Sequence, residues 1–267
     1  MDATLAARVE RIAADTTHGS SWLAKEAVAA VVEAAQGGED PLELARELVR
    51  ARPDIGAIAG ALGRVLVAGR TTEQLVEEAN ALIGSRERAA ATIAVIVAQE
   101  LDGRILMTHS ASATAREALI HGNPGRIVCT VSDPGGEGRS FAQELAEAGL
   151  ATDVVADEDA EHAVATVELL LLGADTVFRD GSLLNKVKTN PLAKAARKAG
   201  VPVIVASEVL KIAPGDPYEP EEERVDLTPP EYITQYVTEE GICAPGDIAA
   251  LVDRTPFLAE GYELLRG

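Results

Sequence analysis

From residue 104 onward, the chain alternates short apolar runs with stretches that have the spacing of helices. The runs have the length and the β-branched content of buried strands. Such alternation predicts a parallel, Rossmann-like sheet covered by helices on both faces, because parallel neighbours need a crossover connection. The runs are RILMTH (104–109), RIVCTV (126–131), ATDVVA (151–156), VELLLLGADTVF (167–178) and VPVIVA (201–206). Between them lie SATAREALIHG, GRSFAQELAEAG and the helical segment after Pro191.

The first hundred residues have a different pattern, in which apolar residues recur every three or four positions. Ala, Leu, Glu and Arg dominate there, and all four are good helix formers. Helix ends are expected at Gly37-Gly38, Pro53 and Gly69. We therefore predict an α/β protein with a helical N-terminal domain over residues 1–100. A Rossmann-like α/β ligand-binding domain is predicted over residues 101–267.

The composition limits the compartment and the class of partner. The chain has 43 acidic and 24 basic residues and a net charge of -19, which argues against direct binding to nucleic acid or an anionic membrane. No signal-peptide pattern and no membrane-spanning apolar run is present, so we expect a soluble, cytoplasmic protein. Cys129 and Cys243 form no disulfide framework or metal motif, and no GxGxxG follows the first strand. We accordingly predict no metal and no cofactor.

Lysine is concentrated between residues 173 and 211. Of the six lysines in the chain, five fall in this segment: Lys186, Lys188, Lys194, Lys198 and Lys211. A cationic cluster in so acidic a chain is a candidate anion site. Lys194, Arg197 and Lys198 have a simpler explanation, since they are expected on the solvent face and last turn of a helix that ends at Gly200.

The same segment predicts where a ligand would lie. Asp175 follows one buried strand and Lys211 lies a few residues beyond the next, so both could reach the crevice at the carboxyl ends of the strands. Asn185 and Lys186 are expected in the turn between these strands. There an amide and an ammonium could bind phosphate or hydroxyl oxygens.

These residues resemble the signature of a known family, the translation initiation factor 2B regulatory subunits with the related ribose-1,5-bisphosphate and methylthioribose-1-phosphate isomerases. The signature is Gly-Ala-Asp, then Asn-Lys ten and eleven residues after the Asp, then a strand leading to a Lys. Asp175, Asn185, Lys186 and Lys211 match it in order and spacing, and VDLTPPEYITQYVTEEGICAP is similar to the family's C-terminal block. The resemblance covers roughly residues 45–250 and implies a helical cap over a Rossmann-like catalytic domain.

By the same resemblance, two places in the helical region are candidate phosphate contacts. The loop His18-Gly19-Ser20-Ser21 precedes a helix expected to begin near Trp22, and the N-terminus of that helix could receive a phosphate. A plain N-cap at Ser20 or Ser21 is the alternative. The isomerases begin this loop with Arg, where His18 stands here. Arg52-Pro53 resembles the family's Arg-Pro, whose Arg holds the substrate phosphate, and a surface Arg before a helix is the alternative.

The turn after the first strand contains the main departure from the isomerases. The resemblance implies a cysteine just after a Thr-His pair, acting as proton acceptor opposite the Asp that donates, and Ser110 stands at that position. A serine hydroxyl is a far weaker acid than a thiol and needs a neighbouring base. Ser110 is therefore either an N-cap or a ligand-binding hydroxyl, or a catalytic residue assisted by His109 or a carboxylate.

Three further segments carry expectations. The loop 133–138 is expected to be a strand-to-helix turn, and its lack of the family's basic residue argues against tight bisphosphate binding. The acidic run Glu221–Glu223 is expected to be a solvated surface loop. A helix near Pro230–Tyr236 and a strand near Ile242 should close the sheet edge and, by resemblance, help form a dimer. A short helix is expected after Pro245.

Two functions from different classes follow. The first is a regulatory, non-catalytic family member that binds a sugar phosphate or nucleotide, forms a homodimer or larger homo-oligomer and contacts a translation-factor partner. The second is an aldose–ketose isomerase acting on ribose 1,5-bisphosphate or a similar aldose 1-phosphate, with Asp175 and Ser110 as catalytic residues. Its predicted substrate ligands are Arg52, Asn185, Lys186, Lys211, His18, Gly19, Ser20 and Ser21. An oligomeric scaffold without a ligand is a third reading and leaves the lysine cluster unexplained.

Overall fold

A computed structural model describes residues 3–69, 71–220 and 223–266 of the chain. Within these ranges, the first hundred residues are helical, and the helices end where the sequence predicts, at Gly37, Ala51 and Ala68. The helices are α1 (Ala3–Ala14), α2 (Ser20–Gly37), α3 (Pro41–Ala51), α4 (Gly56–Ala68) and α5 (Thr72–Ala98). Thr71 is the N-cap of α5 and forms a capping box with Gln74, in which each side chain accepts a hydrogen bond from the other residue's backbone N–H.

The rest of the described chain alternates strands and helices. Its strands are β1 (Ile105–Thr108), β2 (Arg126–Thr130), β3 (Thr152–Val155), β4 (Leu169–Leu172), β5 (Thr176–Phe178), β6 (Leu183–Lys186), β7 (Val203–Ala206), β8 (Ile212–Ala213), β9 (Val225–Thr228), β10 (Gln235–Thr238) and β11 (Gly241–Cys243). Its helices are α6 (Ala113–Gly122), α7 (Glu137–Glu147), α8 (Asp157–Ala163), α9 (Thr189–Ala199), α10 (Ile248–Asp253) and α11 (Pro256–Arg266).

The main sheet has seven strands in the order β11-β10-β7-β4-β1-β2-β3. The six strands from β10 to β3 are parallel, and β11 pairs antiparallel with β10 at the edge. Every side chain of the central strand β4 is buried, as expected for a strand covered on both faces. The predicted α/β class, with a helical N-terminal part and a mostly parallel sheet, is confirmed.

A second, four-stranded sheet, in the order β8-β5-β6-β9, was not expected from the sequence. The run VELLLLGADTVF, predicted as one strand, is interrupted at residues 173–175, so that β4 belongs to the main sheet and β5 to the second. Asn185 and Lys186 lie on β6, which pairs antiparallel with β5, so their predicted place in a turn is wrong. The tight turn between β5 and β6 contains Gly181, whose φ of 84° suits glycine.

The C-terminal part differs from the sequence expectation in one element and adds another. The predicted helix near Pro230–Tyr236 is only a single 3-10 turn, Pro230–Tyr232, followed by β10. The expectation that this segment closes the sheet edge is confirmed, because β10 and β11 form that edge. A helix does follow Pro245, but α11 was not predicted. Of the acidic run, residues 221 and 222 lie outside the described residues.

The last helix, α11, packs mainly against α4, and its Leu258 also belongs to the core of the main sheet. The two helices cross where Gly63 faces Gly261, and a Cβ added at Gly63 would lie 2.7 Å from the Cα of Gly261. Leu265 belongs to the same apolar cluster as the N-terminal helices. Helix α5 likewise contributes Leu75 to that cluster and Ile93 to the core of the main sheet. Helix α5 and the last helix thus contribute to the apolar cores of both parts of the chain. The predicted domain boundary at residue 100 stays a prediction.

Helix α4 connects the helical region to the carboxyl ends of the strands. Its Gly60 approaches the chain after β7 so closely that a Cβ there would lie 1.9 Å from the carbonyl oxygen of Leu210. At the start of α4, the Gly56 N–H donates to the hydroxyl of Thr176, which in turn donates to the carbonyl oxygen of Asp54. These contacts fix where the residues around Arg52 and Lys211 meet. Among the helices that the structure describes, none is both long and apolar enough to cross a membrane.

Candidate functional site

A cavity of about 770 Å³ lies between the helical region and the carboxyl ends of the parallel strands. All ten predicted catalytic and substrate-binding residues line its wall: His18, Gly19, Ser20, Ser21, Arg52, Ser110, Asp175, Asn185, Lys186 and Lys211. Tertiary structure thus brings together residues that are up to 193 positions apart, from His18 to Lys211. The functional role of each remains a prediction.

Lys211 lies at the inner end of the cavity, in the 3-10 turn Val209–Lys211 that follows β7. It is only 3% exposed, and its Nζ donates to the Ser20 hydroxyl at 2.9 Å and to the Ala174 carbonyl at 2.7 Å. Burial lowers the pKa of this ammonium, although the carboxylates of Glu208 and Asp175 oppose that shift. The site therefore contains a desolvated cation whose position is fixed from two elements.

Asp175 joins β4 to β5 and is partly buried beside Lys211. Burial raises the pKa of its carboxyl, and the nearby Asp54 raises it further, against the opposing influence of Lys211 and of a hydrogen bond with Ser20. This carboxyl holds its proton more tightly than an exposed aspartate does. It is chemically suited to donate a proton or to bind a sugar hydroxyl.

Arg52 follows α3 and is buried at the cavity wall. Its Nε and Nη2 donate to the two carboxylate oxygens of Asp54 at 3.0 Å each, and Nη1 donates to the carbonyl oxygen of Asp15 at 3.0 Å. The alternative of a surface arginine is wrong. Because the guanidinium already donates to Asp54 and Asp15, few of its N–H groups are left for a phosphate. The predicted phosphate contact would therefore require Asp54 to give up part of its pairing with Arg52.

The loop before α2 has no serine N-cap. Gly19 is the N-cap and no side chain caps the helix, whereas the Ser20 hydroxyl contacts Lys211 and the Ser21 hydroxyl donates to Glu208 at 3.4 Å. The N-cap alternative is therefore wrong. Both hydroxyls lie at the N-terminus of an 18-residue helix, on the cavity wall.

His18 occupies the outer part of the same loop. Its Nδ1 lies 2.7 Å from a carboxylate oxygen of Asp15, and its ring stacks on Trp22 at a centroid distance of 3.7 Å. Burial raises the pKa of Asp15, but hydrogen bonds from His18 and Thr17 outweigh that and lower it to about 2. A phosphate bound here would have to use the other ring nitrogen or the backbone.

Asn185 and Lys186 reach the cavity from β6. The Asn185 amide is buried and donates to the hydroxyl of Thr189 at 3.2 Å, at the start of α9. The Lys186 ammonium lies 2.9 Å and 3.0 Å from the two carboxylate oxygens of Glu137 and also donates to the Pro134 carbonyl. Asn185 and Lys186 are thus both held by protein partners. Lys186 and Lys211, the two lysines that line the cavity, are both paired.

Ser110 also contacts Glu137. Its hydroxyl donates to Glu137 Oε1 at 2.8 Å, and its backbone N–H donates to the Ser132 hydroxyl at 2.8 Å, with a left-handed φ of 63°. The N-cap of α6 is Ser112, whose hydroxyl accepts from the Ala115 N–H. The N-cap alternative for Ser110 is therefore wrong, and the carboxylate alternative has a partner in place.

His109 is not placed to act as a base. Its Nε2 must donate to the Val187 carbonyl, 2.9 Å away, because a carbonyl only accepts. Its Nδ1 then accepts from the Thr130 hydroxyl at 2.6 Å. Burial lowers the pKa of the ring, which keeps it neutral. Both nitrogens are thus used within the protein.

Sequence reasoning missed Asp54 and Glu137, which line the cavity, and Glu208, which interacts electrostatically with Lys211. Glu208 accepts two hydrogen bonds of 2.9 Å from Arg86 of α5, and this pairing lowers its pKa although burial raises it. The sequence offered one signal for Glu137, the following Gly138. A Cβ there would lie 1.8 Å from the Thr130 carbonyl, so α7 must start against the end of β2.

The model for the initiation factor 2 subunit family matches residues 16–224 of the chain. A ribose 1,5-bisphosphate isomerase of Haloferax volcanii is 31% identical over 245 residues, which span 78% of this chain and 76% of the relative. The solved translation initiation factor eIF-2B of Pyrococcus horikoshii OT3 has a TM-score of 0.81 and 26% identity, covering 92% of this chain and 98% of that chain.

A chain of the tetrameric eIF2B-beta2-delta2 complex from C. thermophilum has the same fold, with a TM-score of 0.81 and 17% identity over 94% of both chains. The family resemblance drawn from the sequence motifs is thus confirmed by the match of the family model. Since that match extends over most of its length, the chain belongs to the initiation factor 2 subunit family.

Proposed function

We propose that this chain binds a phosphorylated sugar or nucleotide in the cavity between its helical region and the main sheet. The observation that carries the proposal is the convergence of Lys211, Ser20 and Asp175 at the inner end of a cavity of about 770 Å³. A volume of this order is typical of small-molecule sites.

The chemistry of the wall suits a sugar phosphate. The N-terminus of α2 and the Lys211 ammonium favour an anionic group, because helix N–H groups and a desolvated cation both attract negative charge. The Asn185 amide and the Asp175 carboxyl offer donors and acceptors for sugar hydroxyls. The acidic residues of the wall, Glu137 among them, disfavour a second phosphate near them, in line with the missing basic residue of loop 133–138.

A second candidate function is the aldose–ketose isomerisation of ribose 1,5-bisphosphate or a similar aldose 1-phosphate. It is favoured by the relative of that name in Haloferax volcanii and by the raised pKa of Asp175, which suits a proton donor. The regulatory reading instead follows from the initiation factor relatives and from Ser110 in place of a thiol.

We also propose that the chain works as a homodimer or larger homo-oligomer in the cytoplasm, with a translation factor as a partner of the regulatory form. The tetrameric assembly of the similar C. thermophilum chain supports an oligomer. Light scattering of the purified protein would give the mass in solution, and a monomer at micromolar concentration would contradict this part of the proposal.

The deciding experiment is proton and phosphorus NMR of the purified protein with ribose 1,5-bisphosphate in potassium chloride. We expect broadened ligand signals, and ribose without phosphate should stay sharp. Appearance of the ketose bisphosphate, abolished by Asp175→Asn, would select the isomerase, and broadening without conversion would select the binding protein. Sharp phosphorus signals at excess protein from this compound, and from ribose 5-phosphate and AMP titrated in the same way, would refute the proposed ligand class.

A further inference from the structure

The cavity contains two carboxyl groups, each beside a serine hydroxyl and a lysine ammonium. Asp175 has Ser20 and Lys211 as neighbours, deep in the cavity. Glu137 has Ser110 at 2.8 Å and Lys186 at 2.9 Å, nearer the surface, with side-chain exposures of 25% for Glu137 and 15% for Lys186. Two carboxyl groups in one site whose surroundings differ in this way can act as an acid and a base.

The other carboxyl groups of the wall are engaged elsewhere, Glu144 with Arg116 among them. Asp54 forms a two-point ion pair with Arg52. Asp15 accepts hydrogen bonds from two backbone N–H groups of the His18 loop, and its second carboxylate oxygen lies 2.7 Å from His18 Nδ1. His109 uses both ring nitrogens within the protein. Glu137 is partly exposed, and its partners, the Ser110 hydroxyl and the Lys186 ammonium, can also turn to a ligand.

Resting on the isomerase form of the proposed function, we infer that Glu137 is the catalytic base, taking a proton from C2 of a bound aldose 1-phosphate. The C2–H electron pair forms the C1–C2 double bond as the bond from C1 to the ring oxygen breaks. Asp175 gives its proton to that ring oxygen. The C2 hydroxyl then returns a proton to Asp175 as C2 becomes a carbonyl, and Glu137 delivers its proton to C1. Atoms and electrons balance without an oxidant or reductant.

Local structure holds Glu137 in place for this role. It is the first residue of α7, and the next residue, Gly138, abuts the end of β2 at the Thr130 carbonyl. Ser110 is fixed by its N–H bond to Ser132 and aims its hydroxyl at Glu137. In this arrangement Ser110 is a positioning residue, and the proton acceptor is the carboxylate.

Glu137→Gln tests the inference, since it keeps the size of the side chain and removes the carboxylate. Conversion of ribose 1,5-bisphosphate is followed by phosphorus NMR, with deuterium uptake at C1 from heavy water as a second readout. We expect conversion to fall by about 100- to 10,000-fold. Binding, measured by line broadening, should be kept or strengthened, because the variant removes a negative charge from the wall.

Two further variants complete the experiment. Glu147 lies at the other end of the same helix. The variant Glu147→Gln should leave conversion and binding within about twofold of the wild type, because surface substitutions have small effects. Glu137→Asp keeps a carboxylate on a shorter side chain and should retain more conversion than Glu137→Gln. A change of stability alone would not produce this ranking at unchanged binding.

The outcomes separate the inference from the proposed function. Conversion by Glu137→Gln at the wild-type rate would overturn the role of Glu137. A wild-type protein that binds ribose 1,5-bisphosphate but neither converts it nor exchanges deuterium would also overturn it, and the ligand-binding proposal would stand. A wild-type protein that does not bind the compound would overturn the isomerase form of the proposed function, and the inference with it.

Discussion

At the scale of single residues, Lys211 is the most constrained group of the cavity. Burying an ammonium is costly unless partners offset the lost hydration, and here a hydroxyl, a carbonyl and two nearby carboxylates do so. Glu208 in turn is neutralised by Arg86 from α5. The cation is thus held by residues from the helical region as well as from the sheet.

We predict that Lys211→Met weakens binding of ribose 1,5-bisphosphate by about 30- to 100-fold, the effect of losing a charge-assisted hydrogen bond. Isothermal titration calorimetry would measure the change. Lys194→Met is the matched control, because Lys194 is exposed on α9 away from the cavity. This variant should bind ribose 1,5-bisphosphate with the affinity of the wild type. Equal affinities for all three proteins would show that Lys211 does not contact the ligand.

The residues of the site differ in how far sequence could predict them. Asp175, Asn185, Lys186 and Lys211 were found because they belong to a motif with fixed spacing. Glu137 was not, because its role depends on a contact with Ser110 across 27 positions. The solvent-face reading of Lys194, Arg197 and Lys198 is confirmed, since all three are exposed.

At the scale of elements, α9 begins without a capping side chain of its own. Lys188, at the N-cap position, has a left-handed φ of 78°, and Asp226 of β9 accepts hydrogen bonds from the N–H groups of Lys188 at 2.7 Å and Asn190 at 3.1 Å. Burial raises the pKa of Asp226 to about 6, against the effect of those two bonds. The cap therefore titrates within an accessible pH range.

The sign of the resulting pH dependence follows from proton linkage. The native state binds a proton at Asp226 more tightly than the unfolded chain does, because an unfolded aspartate has a pKa of about 4. Between these values the native state holds more protons, so the contribution to the free energy of unfolding falls as pH rises from 4 to 6. We predict that the wild type loses stability relative to Asp226→Asn across this window.

Urea unfolding of both proteins from pH 4 to 8 would measure this difference. It should change across pH 4 to 6 and stay constant above about pH 7, where Asp226 is ionised in both states. A difference that does not vary with pH would show that Asp226 titrates normally in the native protein.

The contact between α4 and α11 gives a second prediction at this scale. At the crossing, a Cβ on Gly261 would lie 2.7 Å from the Cα of Gly63, so the helices must separate to admit it. We expect Gly261→Ala to lower the free energy of unfolding by about 1–3 kcal/mol, despite the better helix propensity of alanine. Gly37→Ala in α2 is the control, since a Cβ there meets nothing within 4 Å. Denaturant unfolding that ranks Gly261→Ala level with Gly37→Ala would contradict the close packing.

At the scale of the whole molecule, the net charge of -19 dominates the electrostatics. Forty-three acids against 24 bases leave an excess of 19 carboxylates, and their mutual repulsion opposes the compact state. Salt screens such repulsion over distances that shrink from about 10 Å at 0.1 M to about 3 Å at 1 M.

We therefore predict that raising potassium chloride from 0.1 M to 2 M increases Tm by about 5 °C, equivalent to roughly 2 kcal/mol for a chain of this size. Scanning calorimetry would measure Tm, and sucrose at matched osmolality would control for effects other than screening. A Tm that falls with salt would mean that the ion pairs outweigh the repulsion.

The sequence by itself determined the class of fold, the helical N-terminal part, the parallel sheet and the motif residues of the cavity, because these depend on local periodicity and fixed spacing. Tertiary structure alone decided the split of one apolar run between two sheets, the packing of α11 on α4 and the pairing of Glu137 with Ser110 and Lys186. Those features depend on contacts between distant segments, and neither the composition nor the periodicity of a segment specifies which distant surface it meets.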